Sequence, residues 1–364
     1  MNLFNSKTIS RHLGNEASIP SEHLQLVSDW ANLISSGRIQ SLKETALHGD
    51  FSGKIVEGLL GYKGPVGNDE FTVATEKAIL KGSVDLALGH FSQDKSEIIA
   101  PFELKGAKTK DLDAIMPGRN KSPVQQAWEY ATNAPGVKWV LVSNYLEIRL
   151  YGFGEGTQAY EHFDLARLTE PEEYARFMLL LSADQLLAGK TAALLEESRK
   201  EDKDITNKLY SDYRALRSDL IEAVRTEAPH IDPLESIATA QKILDRVLFT
   251  AFAEDTGLLP PRILETAYQK NDPLDETPIW DRFKRIFGWI DKGNGRTDHL
   301  NVPPYNGGLF AIDERIDSLH LPDEVCEGFK KIGEYDFASE ISVTVLGHIF
   351  EQSIADVELS LIHI

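Results

Sequence analysis

Two consecutive runs decide the reading of this chain: Ser83-Val-Asp-Leu-Ala-Leu88 and Glu97-Ile-Ile-Ala-Pro-Phe-Glu-Leu-Lys105. Both are apolar and strand-like, and a short polar turn joins them. In a strand, residues two apart share a face, so Glu103 and Lys105 point the same way, and a neighbouring strand can set the Asp85 carboxylate beside them. Two carboxylates and an ammonium then converge at the edge of an apolar sheet, where ionisable groups are costly unless paired or metal-bound.

Outward from these strands, residues 49–165 carry mixed α/β signals. A short helix around Lys54–Leu60 precedes them, and a helix over Pro123–Ala131 follows. The apolar run Val137-Lys-Trp-Val-Leu-Val142 and the alternating run Tyr145-Leu-Glu-Ile-Arg-Leu-Tyr151 complete the series. The order helix, strand, strand, helix, strand, strand predicts an α/β domain, a mixed sheet flanked by helices. Residues 1–48 read as amphipathic helices leading into that domain, with Ser21-Glu22 opening one and Ser41-Leu-Lys-Glu44 resembling a capping box for another. After Thr169-Glu-Pro-Glu-Glu173 the pattern turns helical and charged, which predicts an all-α connector over 169–358. No internal repeat or low-complexity tract interrupts it.

Composition narrows the classes. With 364 residues, 42% of them hydrophobic, the chain can bury ordinary cores in two or three domains. No run of eighteen apolar residues occurs, and Met-Asn-Leu-Phe-Asn-Ser-Lys-Thr has no signal-peptide core, so a soluble cytoplasmic protein without a membrane partner is expected. The single Cys326 excludes an intrachain disulfide framework and any multi-cysteine zinc site. A formal charge of -19 opposes generic phosphate binding unless basic residues gather locally. They gather from 103 to 121, where Lys105, Lys108, Lys110, Arg119 and Lys121 outnumber Glu103, Asp111 and Asp113. The plain reading of that stretch is a solvated loop; the functional one makes Lys108, Lys110, Arg119 and Lys121 contacts to a nucleic-acid backbone.

Phosphodiester hydrolysis needs a divalent cation to neutralise developing charge and to acidify the attacking water, and hard cations such as Mg²⁺ take carboxylate oxygens. Asp85 and Glu103 supply them. Lys105, a compact cation on the same face as Glu103, is suited to position the water or stabilise the transition state. The triplet alone is weak, since Glu201-Asp202-Lys203 repeats it in a charged segment that reads as solvated helix. The apolar run Ile98, Ile99, Ala100 and Phe102 before Glu103 separates the two.

With these residues in place, the segment resembles the PD-(D/E)xK nuclease superfamily, Asp85 as the first acid and Glu103-Leu104-Lys105 as its E-x-K. The resemblance implies a helical glutamate before the first strand, for which Glu57 stands in Lys54-Ile-Val-Glu-Gly-Leu-Leu60. It also implies a Q-x-x-x-Y helix, matched by Gln126-Ala-Trp-Glu-Tyr130, whose i and i+4 spacing puts Gln126 and Tyr130 on one face. Gln125 lies about 100° away around the helix. The structural alternatives are helix-to-sheet packing for Tyr130 and Trp128 and a surface carboxylate for Glu57.

In the second half, Asn301-Val-Pro-Pro-Tyr-Asn-Gly-Gly-Leu-Phe310 and Ile341-Ser-Val-Thr-Val-Leu-Gly-His-Ile-Phe-Glu-Gln-Ser353 resemble the helical spacer of type IIG-like restriction-modification enzymes. That resemblance, which spans nearly all of 49–358, implies a type II-like restriction endonuclease acting on double-stranded DNA with Mg²⁺, or Mn²⁺ as substitute. It divides the chain into a lead-in (1–48), a nuclease domain (49–168) and a connector (169–358). An adenine-N6 DNA methyltransferase using S-adenosylmethionine would follow. Its motifs are absent: Gly152-Phe-Gly-Glu-Gly156 opens no long helix, and Asn301-Val-Pro-Pro-Tyr305 has one residue too many. Truncation after Glu358 is therefore expected, with 359–364, Leu-Ser-Leu-Ile-His-Ile, a non-native tail. The alternatives are a fragment of a protein acting mainly as a methyltransferase, and a DNA-binding or docking module with a degenerate nuclease fold. His90 and His348 lack partners at ligand spacing, and no Ser-His-Asp set or G-x-x-x-x-G-K loop occurs. Oligomeric state is left open.

Overall fold

The computed structural model describes residues 2–14, 17–79, 82–269, 276–295, 300–305, 307–338, 341, 347 and 349. The chain divides into two compact units between Lys200 and Glu201. In the first unit, helices α1 (Ser6–Leu13), α2 (Ser21–Ser35) and α3 (Glu44–Phe51), the last continued by a π-helical stretch over Ser52–Leu59, precede six strands. These are β1 (Phe71–Ile79), β2 (Gly82–Phe91), β3 (Ser96–Leu104), β4 (Trp139–Ser143), β5 (Glu147–Gly152) and β6 (Glu161–Asp164), with α4 (Pro123–Thr132) between β3 and β4. They form one sheet in sequence order, antiparallel except for the parallel pair β3 and β4. Parallel neighbours need a crossover, and α4 is that crossover.

Strands β3 and β4 are central and buried along nearly their whole length, which is why both read as continuous apolar runs. Phe102 and Leu104 pack into a core shared with the N-terminal helices, where Phe51 stands edge-on to Phe102 (5.8 Å) and to Tyr145 (5.3 Å). The other sheet face is covered by α4 through Val124, Ala127 and Ala131. Pro123 at the first turn and a capping box between Ser122 and Gln125 start that helix.

The expected mixed sheet and flanking helices are present, with two strands the sequence reading did not foresee. β1 and β6 are the sheet edges, and β1 exposes Thr75, Glu76 and Ala78, so neither shows a clean apolar alternation. Residues 1–48 are not a separate lead-in: Val27, Trp30 and Leu47 belong to the sheet's own core, and Trp30 Nε1 donates to Tyr145 O at 3.1 Å. The unit also ends later than 168. Helices α5 (Pro171–Leu181) and α6 (Ala183–Leu186) and the first turns of α7 (Lys190–Glu227) bury Phe177, Leu180, Leu186 and Leu194 in that core. The expected capping box at Ser41 is absent, because Ser41 closes a short 3-10 turn by donating to Arg38 O (2.7 Å) and Lys43 takes the cap position.

The second unit is helical: the remainder of α7, then α8 (Pro233–Asp255), α9 (Ile263–Tyr268), α10 (Ile279–Lys292), α11 (Glu314–Asp317) and α12 (Asp323–Ile332). Trp280, Phe283 and Phe287, one stripe of α10, pack with Phe310 and Phe329. The 301–310 loop is fastened here. Buried Arg246 donates to Leu309 O (2.8 Å) and Ala311 O (2.7 Å), and Tyr305 Oη donates to Leu258 O (2.6 Å). Its described residues therefore hold the helical core together. Of the 341–353 string only Ile341, Gly347 and Ile349 are described, so most of it, His348 and the expected tail lie outside the described residues. Cys326 is buried, and burial pushes its thiol up to about 12. Among the described residues no helix is long and apolar enough to cross a membrane.

Candidate active site at the end of the parallel strand pair

The register of β2 on β3 pairs Leu86 with Phe102 and Ala87 with Pro101, so the next step sets Asp85 across from Glu103. Asp85, half-buried, accepts from Leu104 N at 2.7 Å through Oδ2. Lys105 N donates to Ser143 O at 2.8 Å, which carries the β3 to β4 pairing one residue further. Glu103 and Lys105 are 1% and 5% exposed. Lys105 Nζ donates to Glu103 Oε1 and, at 3.2 Å, to Leu104 O. Among the described residues Glu103 Oε2, which is buried, has no hydrogen-bond partner. Burial, and then the like charge of Asp85, push the Glu103 carboxyl up to about 7 against the pull of Lys105 and Arg119.

Glu57 is not drawn into this group. It is exposed, accepts from Ser52 Oγ (3.4 Å) and faces Gly64, where a Cβ would meet its Oε2 at 2.9 Å. The carboxylate the N-terminal helices do bring near is Glu44, at the start of α3. Its Oε2 lies 3.3 Å from the place a Cβ on Gly106 would take, and its charge acts on Tyr145 together with those of Asp85 and Glu103. Sequence reading missed Glu44 because it fitted the third position of a capping box, and no local pattern marks the place to which packing brings that helix start.

Gln126 and Tyr130 share a face of α4 as their spacing predicts, Gln126 Nε2 donating to Tyr130 Oη at 3.0 Å. Arg119 Nη1 donates to Gln126 Oε1 at 3.2 Å. The three line a groove of ≈ 700 Å³ between α4 and the adjoining ends of β1 and β2, with Gly82 so close to the Tyr130 ring that a Cβ would come within 3.1 Å of it. No hydrogen bond joins Gln126 or Tyr130 to Asp85, Glu103 or Lys105; Arg119 connects the groove to the site electrostatically. Gln125 is used by the cap, accepting from Ser122 N at 2.9 Å. Trp128 stacks edge-on to Tyr151 (6.3 Å), which is packing.

The basic loop is anchored at its base: Asn144 Nδ2 donates to Thr109 O (2.9 Å), Arg149 Nη1 to Asp113 Oδ2 (2.7 Å), and Leu112 is buried. Among the described residues Lys108 and Lys110 are exposed and form no ion pair, whereas Lys121 is paired with Glu129. His90 lies in a different groove, with Lys63, Phe71 and Lys95.

The donor set fits a hard cation such as Mg²⁺, which keeps several waters and binds through one or two carboxylates. Asp85 and Glu103 are two such groups, and the unpartnered Glu103 Oε2 is an acceptor the protein itself leaves unfilled. Among the described residues no cluster of three or more His, Cys, Asp and Glu is assembled for a metal.

No family model matches this chain, and no curated protein matches it. Among solved structures, a chain of the cryo-EM structure of a DrdV–DNA complex is similar at 16% identity with a TM-score of 0.25. The match covers 86% of this chain and 28% of that one, a likeness too low to carry an argument.

Proposed function

We propose that the first unit is a Mg²⁺-dependent DNA endonuclease domain of the PD-(D/E)xK kind. The observation that carries this reading is the buried, unpartnered Glu103 Oε2 beside Asp85, with Lys105 on the same strand end. A buried carboxylate oxygen without a partner costs stability, and natural sequences keep such groups mainly where function uses them. The element order also supports it: helix, three antiparallel strands, a crossover helix and a parallel fourth strand, with the acids at the carboxyl end of the parallel pair, where α/β sheets bind their ligands.

In this reading Asp85 and Glu103 hold the cation, which when bound neutralises phosphate charge and lowers the pKa of water. Lys105 Nζ, already held by Glu103 Oε1 and Leu104 O, presents its remaining proton to the attacking water or to a non-bridging phosphate oxygen. Lys108, Lys110 and Arg119 supply sequence-independent backbone contacts. We further propose that the chain is the nuclease and helical connector of a type IIG-like restriction-modification enzyme, in which methylation with S-adenosylmethionine belongs to another region. One observation favours a rival, a non-catalytic DNA-holding module: no three-ligand cluster is assembled among the described residues.

Duplex DNA incubated with the protein and Mg²⁺ or Mn²⁺ separates the two readings. Cleavage should appear and should fall at least about 10³-fold in Asp85→Ala and in Lys105→Ala. Cleavage that persists in both variants assigns the activity elsewhere, and DNA binding without Mn²⁺ binding or cleavage selects the holding module.

A further inference from the structure

Tyr145 occupies the turn between β4 and β5 in a conformation that a tyrosine rarely adopts, with φ at +68°. The surroundings force it. Ser143 Oγ accepts from Tyr145 N (3.0 Å) while donating to Glu147 O (2.6 Å), and Asn144 Oδ1 accepts from Leu146 N and Glu147 N, both at 3.0 Å. The Tyr145 carbonyl is held by Trp30 Nε1 and its ring by Phe51. Strained residues persist only when their neighbours over-determine them, and they gather at functional sites.

This arrangement delivers one group. The Tyr145 side chain is fully buried (0% exposed), and its hydroxyl has no hydrogen-bond partner among the described residues. Besides burial, the influences on that hydroxyl are the charges of Glu44, Asp85 and Glu103, each of which keeps it in its neutral, donating form. Two buried polar atoms without partners, Tyr145 Oη and Glu103 Oε2, thus belong to the same acidic neighbourhood. A phenylalanine would fill the apolar space against Phe51 without the cost of an unsatisfied hydroxyl.

We propose that Tyr145 is a positioning residue of the site, its hydroxyl donating a hydrogen bond to a water in the shell of a divalent cation held by Asp85 and Glu103. The proposal rests on the reading of these carboxylates as cation ligands. Outer-shell donors of this kind orient first-shell groups, and their loss weakens metal affinity by about tenfold or more. In the metal-free protein the same hydroxyl is a liability.

Tyr145→Phe therefore moves two measurements in opposite directions. Thermal unfolding of the metal-free full chain should be unchanged or shifted upward, while Mn²⁺ affinity by calorimetry should drop about tenfold. Unchanged Mn²⁺ affinity in Tyr145→Phe, with binding abolished in Asp85→Ala, overturns the role of Tyr145 and leaves the cation site standing. A lowered unfolding temperature with unchanged affinity makes the hydroxyl a structural group and also overturns it. If the unsubstituted protein takes up no Mn²⁺, the reading of the carboxylates falls, and this inference with it.

Discussion

The first unit buries two glutamates almost equally, Glu103 at 1% exposure and Glu161 at 6%, and completes only one of them. Glu161, on β6, accepts from Leu3 N (2.9 Å) and Phe4 N (3.0 Å) through Oε1 and from Arg176 Nη1 (2.9 Å) through Oε2. It ties the chain's start to the far edge of the sheet, and Arg176 in turn lies over the Phe163 ring at 4.5 Å. Glu103 has Lys105 on one oxygen, nothing on the other, and a second carboxylate across the strand pair. A fastener uses every lone pair it buries. A site leaves some of them open.

Replacing each glutamate by glutamine puts that difference to its hardest test. Glu161→Gln turns an amide NH₂ toward the Arg176 guanidinium, which keeps Glu173 as its other carboxylate partner, so stability in urea should fall by about 2 kcal/mol. Glu103→Gln keeps an acceptor for Lys105 Nζ and removes the repulsion from Asp85. Its stability should stay within about 1 kcal/mol of the unsubstituted chain, while cleavage falls at least about 10²-fold. Equal destabilisation by the two substitutions would make Glu103 a second fastener and end the comparison.

How much of this was legible beforehand follows the same line. The spacing of Asp85, Glu103 and Lys105 could be read because strand periodicity fixes which side chains share a face, and the central strands β2 to β5 are apolar enough to announce themselves. Edge strands β1 and β6 are short or partly exposed, and their sequences carry no such signal. Glu44 and Tyr145 were illegible for another reason. What matters about them is where tertiary packing sets a helix start and a strained turn, and no local pattern encodes that. Glu57 shows the converse, a residue in the expected place along the chain that folding turns toward Gly64.

A third buried carboxylate, Glu254 of the helical unit, sharpens the comparison through pH. Its Oε2 accepts from Ile263 N (2.6 Å) and Leu264 N (3.2 Å), yet burial outweighs these bonds and lifts it from the ordinary 4.5 to about 7, the same value as Glu103. Both groups hold their proton more tightly when folded. The resulting stabilisation is fully present below pH 4.5, is lost as pH rises toward about 7, and is absent above it. Relative to the unsubstituted chain, Glu254→Gln should therefore gain roughly 3 kcal/mol between those limits, measured as the pH dependence of the unfolding free energy. Mg²⁺ should reduce the part of the pH dependence that belongs to Glu103 and leave the Glu254 part untouched. A Mg²⁺ effect that Glu254→Gln abolishes would place the cation in the wrong unit.

The smallest expected effect distinguishes open from completed cations on the loop beside the site. Among the described residues, Lys108 and Lys110 are exposed without an ion pair, on a loop whose base Asn144 and Arg149 hold in place, while Lys121 already has Glu129. Each lysine that meets a phosphate releases about one counterion, so Lys108→Ala or Lys110→Ala should weaken duplex binding a few-fold and lower the salt slope by about 1. Lys121→Ala should change both less, since Glu129 competes for its charge before DNA arrives. Binding isotherms at several salt concentrations read these slopes directly. Equal losses at Lys108 and Lys121 would mean that the Glu129 pair opens at no cost, and that charge along this loop acts as a diffuse field instead of through individual contacts.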